Sequence, residues 1–155
     1  ADDVRRVYEA RRVLECGTIA VLAEGLDRER LGPLDALLVR ERAAQRAGRR
    51  DEAVRLAGDF HLVLVDLLGN AEVSASLRAL VARTQLVVAL FESADDAGCA
   101  VDEHDAVVRA LRRRDAPAAI RAVSEHLRHV EGRVLARMPR PRQDDVGAIL
   151  RAAME

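Results

Sequence analysis

The chain has 155 residues, half of them hydrophobic and a third charged, which suits one globular domain with its own core and excludes a disordered or fibrous chain. Its formal net charge is -1 and its cations are all arginine, spread along the sequence, so this stretch alone is a poor nucleic-acid binder. Two cysteines without CxxC spacing argue against a disulfide framework or zinc knuckle, and no apolar run reaches the roughly 18 residues of a membrane span; a reducing cytoplasm is expected.

Tyr8, Phe60 and Phe91 are the aromatic residues, and abundant Ala, Leu and Arg favour helices over strands. The first predicted helix runs from about Asp3 to Glu24 and stops at Gly25, with Val4, Val7, Tyr8, Leu14, Thr18 and Val21 on its inner face. Arg11 falls on the edge of that face, where it pairs with Glu15 one turn on, snorkels to the surface, or meets a ligand. A second helix is predicted over about Leu34 to Ala47, after Gly32-Pro33 and closed by Gly48; its charge-rich side reads as an exposed outer helix.

The third helix, about Arg50 to Leu68, carries His61, followed at steps of three, four and seven by Leu64, Val65 and Leu68. That spacing turns the imidazole inward, where it needs a hydrogen-bond partner or a metal, because an unsatisfied polar ring in an apolar interior costs roughly 1–3 kcal/mol. Gly69-Asn70 is a stop, with Asn70 a possible cap for the next helix. The fourth helix, about Glu72 to Glu92, is apolar nearly all round, as expected of a central helix covered by neighbours. Arg83 sits among Ala79, Leu80, Leu86 and Val87, and its guanidinium calls for an anion: an acidic residue of a neighbouring helix or a carboxylate ligand.

Ser93 to Ala100 reads as a loop, and a fifth helix from near Asp102 to Arg114 carries His104, with Val107, Val108 and Leu111 at the same three, four and seven steps. Asp115 as cap and Pro117 in the first turn open a sixth helix reaching about Arg137. Its inner stripe is Ile120, Val123, Leu127, Val130 and Val134, with His126 on the edge. Pro139 and Pro141 break it, and Gln143 to Met154 can form a short last helix.

Three helices thus each offer an inward histidine. Neutral imidazoles on facing helices hold a divalent metal in many bundles, while three core histidines can equally be satisfied by carboxylates and buried water; the spacing leaves both open. His129 has Glu125, Gly132 and Arg133 for neighbours and reads as solvated. Cys99, five residues before His104, reads as a plain loop or core cysteine. Asp59 precedes His61 by two residues, a turn of about 200° on a helix, so it faces away. No glycine-rich phosphate loop, nucleophile elbow or HExxH spacing is present.

Together, ARRVLE (Arg11 and Glu15), the run from DFHLVL to GN (Asp59 to Asn70), Arg83, DEHDAVVRAL (Asp102 to Leu111), RRDAPAA (Arg113 to Ala119) and EHLRHVE (Glu125 to Glu131) resemble the ligand-binding C-terminal (FCD) domain of the FadR branch of GntR-type transcription regulators, over about residues 3 to 137. The resemblance implies an all-α fold, an antiparallel bundle of six to seven helices, usually homodimeric, that binds a small carboxylate effector inside, often through zinc or nickel. It implies His61, His104 and His126 as metal ligands. An aspartate one turn before the first histidine commonly adds a ligand in the family; here Ala57 stands there. For the effector's carboxylate, Arg83 is the stronger cation and Arg11 the weaker. Residues 1–155 read as one effector-binding and dimerisation domain, with DNA contact expected only through a winged helix-turn-helix domain upstream of Ala1, and no membrane partner. No enzyme is expected, since Asp59 and Glu103 are poorly phased as a general base for a three-histidine hydrolase or hydratase. A metal-free interaction module with packed histidines is the remaining alternative.

Overall fold

Three connections are only a few residues long, which obliges the helices they join to run antiparallel. A computed structural model of the protein describes residues 1–25, 27–91 and 97–139, the side chains of 97–99 apart. It contains α1 (Asp2–Gly25), a 3₁₀ turn (Arg28–Leu31), α2 (Gly32–Arg46), α3 (Arg50–Asp66), α4 (Ala71–Phe91), α5 (Ala97–Arg112) and α6 (Ala116–Arg137). Among the described residues every regular element is helical: an all-α bundle in which α1 packs on α6 and α4, α5 on α6, α2 on α3 and α5, and α3 on α4.

The helix ends are closed by local chemistry. Asn70 Oδ1 accepts the amides of Glu72 and Val73, and Asp115 Oδ1 accepts that of Ala118, so both expected caps are made. After α2, the amide of Gly48 reaches the Gln45 carbonyl and that of Arg49 the Ala44 carbonyl; this Schellman closure needs a left-handed residue, and Gly48 supplies it at φ 67°. The same pair of bonds ends α5, from Arg114 to Leu111 and from Asp115 to Ala110, but there the left-handed residue is Arg114, at φ 57°.

Tyr8, Ile19, Leu34, Leu56, Phe60, Leu64, Val107, Val123, Leu127 and Val134 form the centre of the main core. At Gly58, α3 and α4 meet so closely that a Cβ would lie 1.6 Å from Gln85 Nε2. In that space the Gln85 amide donates to the carbonyls of Val54 and Arg55.

Four details differ from expectation. The buried face of α1 includes Arg11, Glu15, Ile19 and Leu22, while Val21 is exposed, because two paired charges occupy the middle of its inner stripe. Likewise α2 is not simply an outer helix, for Glu41 continues its buried row of Leu34, Leu37, Leu38 and Ala44. Helix α4 is not covered all round: it buries Leu77, Val81 and Thr84 but leaves Leu86 and Leu90 63% and 65% exposed. By length and composition alone this helix is apolar enough to cross a membrane, although Arg78 and Arg83 interrupt it; in the fold it lies against α3 and α1. Finally, α5 begins at Ala97, since alanine is a strong helix former and Ala100 and Val101 already start its buried row. The predicted last helix, Gln143 to Met154, lies outside the described residues.

A candidate metal and anion site

The inward spacing of His61 on α3, His104 on α5 and His126 on α6 brings three buried imidazoles together, each offering a ligand nitrogen within 4.8 Å of the others. The rings of His104 and His126 lie 4.4 Å apart, and His104 stacks on Phe60 at 4.1 Å between centroids. Each Nδ1 is taken by a different carboxylate: His61 by Glu15 at 2.6 Å, His104 by Glu41 at 3.0 Å, and His126 by Glu103 at 2.7 Å. A carboxylate accepts, so each Nδ1 carries a proton, and a ring with no second proton presents its Nε2 lone pair.

The consequence is visible where Nε2 of His104 faces Nε2 of His126 at 3.2 Å. Two lone pairs cannot hydrogen-bond to each other; a proton on one ring or a cation between them resolves the contact. At His126 and His61 protonation is opposed. Burial pushes the His126 pKa down to about 3, with His104 acting in the same direction, and burial pushes His61 down to about 4 against the attraction of Glu15. Burial also resists ionisation of Glu15, but Arg11 and His61 outweigh it and hold its pKa to about 2. Three carboxylates against one guanidinium give the group two negative charges in excess, which a divalent cation balances. The donor set, three imidazoles each fixed from behind by a carboxylate, fits such an ion.

Beside the histidines lies a cavity of ≈ 50 Å³, lined by Tyr8, Arg11, Ala57, Gly58, His61, Thr84, Gln85 and His126 among others. Arg11 is 4% exposed. Its Nε donates to Glu15 Oε1 at 2.8 Å and its Nη1 to the Thr84 hydroxyl at 2.8 Å, while Nη2 is a buried donor with no hydrogen-bond partner among the described residues. Such a group carries a desolvation cost that an anion in the cavity removes.

Arg83 lies elsewhere. It donates to Asp3 at 2.9 Å with its side chain 52% exposed and does not line this cavity, whereas Arg11, expected as the weaker cation, does. The reason is phase: the buried row of α4 runs through Leu77, Val81 and Thr84, and Arg83 shares the outward side with Leu86 and Leu90. Asp59 pairs with Arg55 at the surface and His129, 58% exposed, meets the outer oxygen of Glu103, both as their spacing implied. Ala57 lines the cavity one turn before His61 and offers no ligand atom. The spacing does not announce Glu15 and Glu103 as partners of the histidines, while Glu41 carries a signal: it falls three after Leu38 and three before Ala44 on the buried row. Cys16 is a partly buried free thiol on α1, and the Cys99 side chain lies outside the described residues.

No curated protein matches the chain by sequence. Among solved structures, E. coli McbR/YncC has a similar fold, with a TM-score of 0.78 at 15% identity over 88% of this chain; the chain spans 66% of that structure's length, just under two thirds. The FCD domain family matches residues 6–129, four-fifths of the sequence, and with the six-helix bundle this shows that the chain belongs to the FCD domain family of GntR-type regulators.

Proposed function

We propose that this domain senses a small carboxylate metabolite for a GntR-type transcription regulator, with His61, His104 and His126 holding a divalent metal, zinc or nickel, and Arg11 receiving the carboxylate. The observation that carries this reading is Arg11 Nη2, a buried, unpartnered donor in a cavity shared with two of the three histidines. The metal when bound supplies a Lewis-acid centre for the effector's oxygens. Arg11 then orients the anion, Thr84 and Glu15 hold the guanidinium in place, and the apolar wall of Val88, Leu127 and Val130 excludes water. Ala57 leaves the effector to provide an oxygen ligand that the chain lacks at that position. The buried carboxylates are each engaged with an imidazole, so none is placed to act as a general base on a substrate, which supports a sensor over a hydrolase.

The signal passes, in this reading, to a DNA-binding domain of the longer cytoplasmic protein, in a homodimer whose contact face includes the exposed Val13, Val21, Leu86 and Leu90 of α1 and α4. Effector binding acts through its differential affinity for two packings of the helices. The test is metal content by mass spectrometry of protein purified without a nickel column, then calorimetric titration of the loaded protein with acetate and larger carboxylates. Near-stoichiometric metal lost in His61→Ala, and carboxylate binding lost in Arg11→Lys but kept in Arg83→Ala, is expected. Metal absent even after zinc addition, or binding indifferent to Arg11→Lys, overturns the reading.

A further inference from the structure

Among the described residues Glu15 is the carboxylate that ties the histidine cluster to the arginine of the cavity. Its Oε1 accepts from Arg11 Nε at 2.8 Å and its Oε2 meets His61 Nδ1 at 2.6 Å, and it is 1% exposed. Glu41 and Glu103 have no such second tie to the cavity: Glu41 puts both oxygens on His104, and the second oxygen of Glu103 goes to surface His129. The Arg11 guanidinium is pinned on a third side by Thr84 and lies over the Tyr8 ring, so it responds to a change in Glu15 by a change in charge balance rather than by swinging away.

We propose that Glu15 is a positioning residue that makes metal binding at the histidines and anion binding at Arg11 reinforce each other; the proposal rests on the function given above. Two cationic groups compete for one buried negative charge. A metal on His61 Nε2 withdraws electron density from the ring, strengthens its Nδ1–H as a donor and draws the carboxylate's charge towards His61. Arg11 is then less neutralised, and its free Nη2 attracts an anion more strongly. In reverse, an anion on Nη2 neutralises Arg11 and returns the charge of Glu15 to His61, which makes the imidazole a better ligand. Linkage requires the two effects to be equal.

The link can be read without any effector. In the whole chain, with zinc as the sole addition and a buffer free of carboxylates, the Arg11 Nε–H resonance shifts as zinc saturates, and it shifts likewise in Thr84→Ala, where the other side-chain tie of Arg11 is cut. Glu15→Gln abolishes that shift and weakens zinc binding, measured by chelator competition, by about ten-fold or more. Acetate alone shifts the His61 Nδ1–H resonance of the metal-free chain, and raises zinc affinity by about five-fold or more in the wild type. An Arg11 Nε–H that stays still while zinc saturates, or that moves equally in Glu15→Gln, overturns the proposal and leaves the metal site standing. The wild-type measurement decides this even if Glu15→Gln fails to fold. Zinc that does not bind at all overturns the functional reading and the linkage with it.

Discussion

The centre of the bundle and the outer face of α1 and α4 invert the usual rule about polarity. The centre holds three histidines, three glutamates and an arginine, nearly all buried, whereas the outer face exposes Val13, Val21, Leu86 and Leu90. Position follows from partners: every ring Nδ1 in the centre has its carboxylate, and two of the arginine's three nitrogens have a glutamate and a threonine. An apolar residue needs no partner and is tolerated outside.

Breaking one tie in each region should therefore give very different results. Arg11→Ala removes the guanidinium from a Glu15 that stays buried, and is expected to cost about 3–5 kcal/mol in urea unfolding, while Arg83→Ala cuts an exposed pair with Asp3 and costs less than about 1 kcal/mol. Equal losses would show that the centre is no more tightly built than the surface.

Acid should attack the centre first. His61 and His126 resist protonation in the fold, with pKa values of about 4 and about 3 against an ordinary 6.5, so below pH 6.5 the unfolded chain binds protons that the folded chain refuses. Stability of the metal-free protein falls as pH drops from 6.5 towards 4, by about 1.4 kcal/mol per unit for each histidine. Glu15 and Glu103, lowered to about 2, add a further loss only as pH falls from 4.5 through 2. Denaturant midpoints at pH 7, 6 and 5 check this; a flat profile contradicts it, and zinc should flatten the upper part by holding the rings deprotonated.

Ala57→Asp sharpens the comparison from within the cavity. A carboxylate beside His61 is expected to tighten zinc binding by about an order of magnitude and to weaken carboxylate binding, since it occupies the cavity proposed for the effector. Chelator competition and calorimetry measure the two sides. The smallest effect lies far from both regions, at the end of α5. Arg114→Gly relieves a left-handed arginine and should raise stability by about 1 kcal/mol, with no change in metal content.

Much of this was legible in the sequence. Steps of three, four and seven placed His61 and His104 inward, and the caps at Asn70 and Asp115 divided the helices, because apolar spacing and capping are local signals. The carboxylates are harder: Glu15 and Glu41 meet histidines some 46 and 63 residues away, and although the buried row of α2 turns Glu41 inward, no local pattern names the distant partner. Arg83 misled for the opposite reason. Leucines and valines surround it in sequence, yet Leu86 and Leu90, on its own side, stand uncovered, and apolar neighbours say nothing of which side a partner helix will take.

All six described helices send a side chain into the histidine cluster or its immediate supports: Glu15 from α1, Glu41 from α2, His61 from α3, Thr84 from α4, His104 from α5 and His126 from α6. An ion at such a crossing acts like the hub of a wheel whose spokes are the whole domain. Its binding free energy is spread over the bundle as RT ln(1 + [L]/Kd), so amide exchange should slow along every helix together rather than in a patch around one ligand.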